Sequence, residues 1–233
     1  MTSAARGASP ASGAESRGVF ITFEGIDGSG KTAQARRLAV RLRSQGVAVV
    51  ETREPGGTPI GQGLRAVLLN PAHNAMTPQC EVLLYLADRV QHVADVIGPA
   101  LKRGDTVICD RYHDATLAYQ HYGRGLDLAP LEPFIAREIA PLAPRVTFWL
   151  DVGVETARRR VASRAGGAPA GKESRLDDHP ADFHDRVRRG YEDLARLHPG
   201  RIVRIDGEPD QDRVEAEIWR CFTAHPGMPA RQV

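Results

Sequence analysis

Residues 25–32 combine the residue types and the spacing of a phosphate-binding loop. The segment reads Gly-Ile-Asp-Gly-Ser-Gly-Lys-Thr and fits the pattern Gly-x4-Gly-Lys-[Ser/Thr] at every fixed position. Its glycines let the backbone turn tightly, so that main-chain N–H groups can point at phosphate oxygens. In this pattern Lys31 reaches the β- and γ-phosphates, and Thr32 offers its hydroxyl to Mg²⁺. The predicted ATP-binding residues are Gly25, Ile26, Asp27, Gly28, Ser29, Gly30, Lys31 and Thr32.

The residues on either side of this loop favour a functional site over an incidental glycine-rich turn. Residues 19–23 form an apolar, β-branched and aromatic run, which predicts a buried parallel strand. Residues 33–42 carry apolar side chains at helical spacing. A helix that starts directly after the loop adds unpaired N–H donors and a partial positive charge. The sequence therefore predicts that the chain binds a nucleoside triphosphate.

Length and composition are those of a single globular domain. The chain has 233 residues and a net charge of +2, which favours neither the presence nor the absence of a nucleic-acid partner. No apolar run reaches the ~18 residues of a membrane span. The three cysteines show no metal-binding spacing, so they are interpreted as reduced thiols. Residues 1–17 lack the hydrophobic segment of a secretory signal, which predicts a disordered tail and a cytoplasmic protein.

Apolar patterns alternate between strands and helices along the rest of the chain. This alternation predicts a parallel sheet with helices on both faces. The domain is expected over 18–224, followed by a C-terminal tail over 225–233. The five predicted strands are 19–23, 47–50, 105–111, 145–151 and 201–205. The helices expected after the first one are 59–70, 78–101, 112–121, 130–139, 154–164, 181–197 and 211–222.

The charged residues at the strand ends indicate which class of phosphate-loop protein this is. Ligands of such sheets bind beyond the carboxyl ends of the strands, where Arg53, Asp110 and Arg111 stand. A GTPase would need an Asn-Lys-x-Asp motif, and no asparagine of this chain begins one. An arginine-flanked, glycine-rich segment at about 158–180 has the composition of a lid. These features favour a small-molecule kinase, with arginines able to hold a second phosphate.

Four segments together resemble the thymidylate kinase family. They are residues 23–32, 52–58 (Thr-Arg-Glu-Pro-Gly-Gly-Thr), 84–89 (Leu-Tyr-Leu-Ala-Asp-Arg) and 110–120. The resemblance covers about residues 18–222. It implies the nucleoside monophosphate kinase fold, with a five-stranded parallel sheet, helices on both faces and a small lid. It also implies that the γ-phosphoryl group of ATP is transferred to dTMP, giving dTDP and ADP.

The resemblance assigns a dTMP site to residues that match the family's motifs. Arg53 and Arg111 match arginines that hold the dTMP phosphate. Tyr85 matches an aromatic side chain that stacks on thymine, and Arg89 matches one that hydrogen-bonds the base. The remaining matches are Thr116 at the base edge, Tyr119 beneath the sugar, and Gln120, which follows the same pattern.

The resemblance also assigns catalytic and metal-binding residues. Asp27 matches a carboxylate that contacts the sugar 3′-hydroxyl or the metal, with a turn residue that caps the loop as the alternative. Asp110 ends its strand where a carboxylate would order Mg²⁺, together with Thr32. Family members with glycine at the position of Gly28 place the catalytic arginine in the lid. The lid candidates are Arg158, Arg159, Arg160, Arg164 and Arg175, of which Arg164 and Arg175 are preferred, alongside Lys31 and Asp27, as catalytic residues.

The partners that the resemblance implies are ATP, dTMP and a second copy of the chain, with no nucleic acid and no membrane. Two other functions stay open at this point. Another nucleotide or nucleoside kinase could have the same fold while Arg53 and Arg89 read a different base. A nucleotide-dependent regulatory subunit could bind ATP without catalysis. The presence of Lys31, Thr32 and Asp110 beside the lid arginines argues against such a subunit, because a protein that only binds nucleotide could lose its lid.

Overall fold

The computed structural model describes residues 18–164, 181–226 and 228. Five strands form one sheet in the order β2-β3-β1-β4-β5, and all four neighbouring pairs are parallel. The strands are β1 (Phe20–Glu24), β2 (Val49–Arg53), β3 (Thr106–Asp110), β4 (Val146–Asp151) and β5 (Ile202–Asp206). The predicted five-stranded parallel sheet is confirmed.

The connections between strands are helical. The α-helices are α1 (Lys31–Ser44), α2 (Pro59–Leu69), α3 (Pro78–His92), α4 (Gly98–Lys102), α5 (His113–Thr116), α6 (Glu132–Glu138), α7 (Val154–Arg164), α8 (Ala181–Leu197) and α9 (Gln211–Ala224). A π-helical segment, Val93–Ile97, joins α3 to α4, so the single helix expected over 78–101 contains a change of helix type. A second π-helical segment, Leu117–Gly123, continues α5.

Alternating side chains of the central strands fill two apolar layers. Ile21 and Phe23 of β1 point towards α1 and α9 and belong to one buried cluster with Phe148. Phe20 points to the opposite face, where it packs with residues of α3 and β3. On the same opposite face Trp149 packs against α8. Both faces of the sheet are therefore covered by helices, as the alternation of strands and helices predicted.

The second strand differs from its prediction in position and burial. It was expected as a buried strand over 47–50, but β2 runs over Val49–Arg53 and its Glu51 and Arg53 are exposed. The reason is its place at the edge of the sheet, where it pairs only with β3. An edge strand tolerates polar side chains that a central parallel strand would exclude.

A buried polar cluster ties α5 to the sheet. The hydroxyls of Thr22 and Thr147 are hydrogen-bonded at 2.7 Å across β1 and β4. Thr147 donates to the Asp114 carboxylate at 3.2 Å, and Arg201 holds both Asp114 oxygens at 2.6 and 2.8 Å. This cluster fixes the start of the segment that carries Thr116, Tyr119 and Gln120.

Several predicted regions lie outside the described residues. They are the tail over 1–17, the lid from residue 165 to residue 180, and most of the C-terminal tail. The division into tails, kinase domain and lid therefore stays a prediction. Among the helices that the structure describes, none combines the length and apolar character needed to cross a membrane.

Candidate active site

The phosphate loop lies between β1 and α1, in a conformation that depends on glycine. Gly28 has φ +88°, and a Cβ built at this position would lie 2.2 Å from the carbonyl oxygen of Ala157 in α7. Any side chain here would need a strained backbone and would displace α7. An arginine at this position, as in part of the family, does not fit this structure.

Lys31 is buried at the start of α1. Its ammonium group donates to the Ile26 carbonyl at 3.2 Å and lies 3.5 Å from an Asp27 oxygen. Burial lowers the pKa of Lys31, as does the nearby Arg111, and Asp27 and Asp110 act in the opposite direction. The ammonium therefore stands inside the loop, in position to meet a phosphate.

Thr32 and Asp110, the predicted metal pair, lie in direct contact. The Thr32 hydroxyl donates to Oδ2 of Asp110. The other oxygen, Oδ1 of Asp110, is buried and has no hydrogen-bond partner among the described residues. A buried carboxylate oxygen without a donor is an incomplete site, because such atoms are normally paired.

Arg111 is held at the end of β3 by three side chains. Its Nη2 donates to Asp27 at 2.8 Å and to the Tyr119 hydroxyl at 3.0 Å, and its Nη1 donates to the Tyr191 hydroxyl at 3.4 Å. Burial lowers the pKa of Arg111, but the groups facing it, including Asp27 and Glu24, raise that pKa well above its ordinary value. Arg111 is therefore a permanent, oriented cation.

Asp27 joins the phosphate loop to Arg111. Its Oδ1 accepts from Arg111 at 2.8 Å and lies 3.5 Å from the Lys31 ammonium. Partial burial raises the pKa of Asp27, but Arg111 and Lys31 outweigh it and hold that pKa well below the usual range. The ionised carboxylate thus stands between two cations that sequence analysis assigned to different substrates.

Glu24 and Tyr191 complete the surroundings of Arg111, and sequence analysis missed both. Glu24 accepts from the Tyr112 backbone N–H at 2.8 Å and from the Tyr191 hydroxyl at 2.7 Å. Burial, and after it the Asp114 carboxylate, raises the pKa of Glu24 to about 7. Glu24 could have been selected from the sequence, because it is an acidic residue at the end of an apolar strand. Tyr191 could not, because it lies in an ordinary amphipathic helix.

The Arg89 side chain is fully enclosed and its contacts are specific. Its Nε donates to Glu54 at 2.7 Å, Nη1 to the Thr116 hydroxyl at 2.9 Å, and Nη2 to the Tyr112 carbonyl at 2.9 Å. Burial lowers the pKa of Arg89, but Glu54 and Tyr112 raise it above its ordinary value. The structure therefore brings Arg89 and Thr116 together, and their contact with a base stays a prediction.

His92 and Glu54 support the loop between β2 and α2, and sequence analysis assigned neither residue a role. His92 contacts Glu54 through Nδ1 at 2.9 Å and Thr52 through Nε2 at 2.6 Å. Asp88 accepts from the Gly56 backbone N–H at 3.0 Å. These contacts from α3 fix the loop that follows Arg53.

Arg53, at the end of β2, and Tyr85, on α3, both lie close enough to Arg65 to affect its pKa. Arg53 is exposed, pairs in register with Asp110, and forms no ion pair within the described part of the chain. Tyr85 is half-buried and lies one turn before Arg89 on α3, so both project from one face of that helix. Arg65, which sequence analysis missed, has its pKa lowered by burial and by the charge of Arg53.

Gln120 contacts another helix in this structure. Its amide donates to Oε1 of the buried Glu81 at 3.0 Å, and Arg124 binds both Glu81 oxygens at 2.6 Å. Gln120 and Tyr119 both lie in the π-helical segment Leu117–Gly123. Such segments recur at functional sites because the wider turn redirects side chains.

The lid arginines are described only in part. Arg160 donates to the carbonyls of Gly207 and Glu208 at 2.9 and 3.0 Å, so it braces the loop after β5. Arg159 contacts Thr156 one turn earlier at 3.3 Å. The side chain of Arg164 and the whole of Arg175 lie outside the described residues. Their predicted role stays a prediction.

Comparison with known proteins gives one consistent result. The family described as "Thymidylate kinase" matches residues 23–218. A thymidylate kinase of Citrifermentans bemidjiense is 47% identical over 193 residues, which is 83% of this chain and 86% of that protein. A thymidylate kinase of Deinococcus radiodurans is 47% identical over 208 residues, which is 89% of this chain and 98% of that protein.

A solved structure supports the same relationship. The crystal structure of thymidylate kinase from Ehrlichia chaffeensis aligns with a TM-score of 0.69 and 33% identity. The alignment covers 89% of this chain and 99% of that one. The chain has the phosphate loop and the arginines at the strand ends, and the matches span most of its sequence. This chain belongs to the thymidylate kinase family.

Proposed function

We propose that the chain carries out the activity of its family, the transfer of the γ-phosphoryl group of ATP to dTMP to give dTDP and ADP. The observation that carries this proposal is the position of Asp27. Its carboxylate contacts Lys31, which belongs to the phosphate loop, and Arg111, which belongs to the predicted dTMP site. The Asp27 side chain therefore links a residue assigned to ATP with a residue assigned to dTMP.

On the donor side, the loop over 25–32 binds the ATP phosphates. Its N–H groups and the start of α1 attract negative charge. Lys31 draws charge from the β- and γ-phosphates, and its low exposure strengthens that interaction, because few waters screen it.

Thr32 and Asp110 are the residues proposed to hold Mg²⁺. The fit rests on Oδ1 of Asp110, a buried acceptor with no donor in the described part of the chain, next to the Thr32 hydroxyl. Oxygen ligands of this kind suit Mg²⁺, which commonly keeps several waters and binds phosphate oxygens as well. Bound there, Mg²⁺ would neutralise charge on the ATP phosphates.

On the acceptor side, Arg53 and Arg111 hold the dTMP phosphate. Arg111 uses both Nη2 hydrogens and one Nη1 hydrogen for protein partners. Its Nε–H and its second Nη1 hydrogen have no partner among the described residues, and they are available to phosphate oxygens. The base and sugar then extend towards the residues assigned to them, Tyr85, Arg89, Thr116, Tyr119 and Gln120.

The chemistry needs alignment and charge neutralisation more than proton transfer. The phosphate oxygen of dTMP is already a nucleophile, so no general base is assigned. Phosphoryl transfer is accelerated chiefly by holding the reacting groups in line and by stabilising charge. A lid arginine, with Arg164 and Arg175 as the preferred candidates, completes this arrangement as the lid closes over the site and excludes water.

A homodimer is proposed from exposed apolar side chains on two adjacent helices. Ile60 and Val67 stand two turns apart on α2 and are 59% and 40% exposed. Leu83 on the neighbouring α3 is 54% exposed. Exposed apolar side chains on helices that pack together, as α2 and α3 do, mark a candidate subunit interface. The cytoplasmic location expected from the sequence stays a prediction.

Replacing Lys31 tests the donor side. Lys31→Ala should lower kcat by about 10²–10³ because one preorganised cation at the transferring phosphates is lost. Steady-state ADP formation with saturating dTMP measures this effect. The matched control is Lys102→Ala, an exposed lysine at the end of α4, which should leave turnover unchanged. Near-normal turnover of Lys31→Ala would refute the assignment.

Replacing the lid arginines tests the transition-state contact. Arg164→Ala or Arg175→Ala should lower kcat by about 10³–10⁵, the range for arginines that contact a transferring phosphoryl group. Single-turnover assays measure the loss in the chemical step. In steady-state assays the KM for dTMP should change little. Arg196→Ala, which removes an exposed arginine of α8, serves as the control. If both lid variants keep wild-type kcat, neither residue is the catalytic arginine.

The proposed dimer is tested by placing a charge on its apolar surface. Leu83→Glu should convert a dimer to a monomer in sedimentation velocity, because the interface would bury an unpaired carboxylate. Val40→Glu on α1 is the control, since Val40 is 59% exposed and lies on another helix. A wild-type chain that sediments as a monomer at micromolar concentration contradicts the proposal.

A further inference from the structure

We infer that Glu24 is a positioning residue that holds Arg111 ready for the acceptor phosphate, acting through the Tyr191 hydroxyl and the Tyr112 backbone. The inference rests on the proposed function in one respect, the role of Arg111 as a phosphate ligand. It adds two residues to the dTMP site that touch neither substrate in that proposal.

The first line of evidence is the backbone around Arg111. Arg111 has φ +72° and is the only described residue other than glycine with a positive φ. This left-handed conformation is uncommon for a residue with a Cβ and needs support from its surroundings. The Arg111 N–H donates to the Phe23 carbonyl at 3.0 Å, and the Tyr112 N–H donates to Glu24 at 2.8 Å. Two consecutive residues of β1 thus hold the turn that aims Arg111.

The second line of evidence is the hydrogen-bond direction at Tyr191. The Tyr191 hydroxyl donates to Oε2 of Glu24 at 2.7 Å. The Tyr191 proton is therefore committed to Glu24, which leaves the hydroxyl oxygen to accept from Nη1 of Arg111 at 3.4 Å. Glu24 in this way turns Tyr191 into an acceptor that faces the guanidinium group.

The third line of evidence is the cost of burying Glu24. Its side chain is fully enclosed, and the two groups that bind it, an amide N–H and a phenol, are neutral. An ionised carboxylate is expensive to bury without a directly bound cation. The Asp114 carboxylate makes this burial more costly, and the charge of Arg111 opposes it. A fold that needed only packing would place an apolar side chain here, so the arrangement indicates a role towards Arg111.

The experiment compares two ligands that differ by one phosphate. Isothermal titration calorimetry measures the affinity of the full chain for dTMP and for thymidine. The variants are Tyr191→Phe, Glu24→Gln, Arg111→Gln and the double variant Tyr191→Phe with Arg111→Gln. Tyr122→Phe is the control, a tyrosine that packs against Gly190 on another side of α8.

Loss of the Tyr191 hydroxyl should weaken dTMP about five- to twentyfold, as expected for one hydrogen bond in a charged network, and should leave thymidine within about twofold. The Tyr191 ring keeps its stacked contact with Trp149, at 6.2 Å between ring centroids, in the phenylalanine variant. Glu24→Gln should act in the same direction, because the amide has one acceptor oxygen whereas Glu24 accepts from both Tyr112 and Tyr191. In the Arg111→Gln background, Tyr191→Phe should cause little further loss, since both act on one contact.

Two results would overturn the inference and are distinguishable from each other. If Arg111→Gln removes the preference for dTMP over thymidine but Tyr191→Phe leaves that preference unchanged, Glu24 and Tyr191 do not position Arg111. If Tyr191→Phe weakens dTMP and thymidine equally, its role is structural. A preference that survives Arg111→Gln instead removes Arg111 from the phosphate site, which is a failure of the proposed function. Should Glu24→Gln fail to fold, Tyr191→Phe still decides the question.

Discussion

The electrostatic balance around Asp27 is the interaction on which the site depends. Lys31 and Arg111 are two largely buried cations, and burial, followed by the charge of Arg111, lowers the pKa of Lys31. Asp27 lies between them and offsets that repulsion. Because interactions between charges strengthen as water is excluded, this arrangement keeps both cations in place until phosphate groups arrive. The same carboxylate couples the two halves of the site, since a change at one cation alters the surroundings of the other.

The β-sheet makes this balance possible by bringing distant residues to one edge. Parallel strands end side by side, so the phosphate loop after β1 and Arg111 after β3 become neighbours although 80 or so residues separate them. The supporting contacts run across layers in the same way. Tyr191 comes from α8 and Glu24 from β1, while α3 contributes Arg89 to the base side. Arg111 and Arg89 are thus each held by side chains from other elements.

Much of this arrangement could be predicted from the sequence. The phosphate loop is encoded locally, because glycine positions, the lysine and the following helix lie within one short segment. Central strands are long apolar runs, so the five-stranded sheet was predictable as well. The edge strand was placed incorrectly because its polar residues, Glu51 and Arg53, hide the pattern that a buried strand would show. The rule for parallel sheets also placed Asp110 at the edge where the phosphate loop lies.

The supporting residues could not be predicted, because their roles arise from contacts between distant segments. Glu54 and His92 form a buried pair although 38 residues separate them in the sequence. Neither residue type by itself indicates which residue it contacts. Tyr191 is one aromatic residue of an amphipathic helix, a pattern that indicates only packing. Arg65 resembles any helical surface arginine until its neighbours are known. These side chains act through geometry that only the folded chain defines.

The most direct measurement of the central claim is ADP formation from Mg·ATP with dTMP, dUMP, dCMP, dGMP and UMP assayed in parallel. The account predicts turnover with a strong preference for dTMP, expressed as kcat/KM, because the proposed acceptor site combines arginines assigned to the phosphate with a base pocket assigned to Tyr85, Arg89, Thr116 and Tyr119. Preference for another monophosphate would leave a kinase but contradict the assigned base pocket. Absence of turnover with every monophosphate would contradict the account itself and leave only nucleotide binding at the phosphate loop.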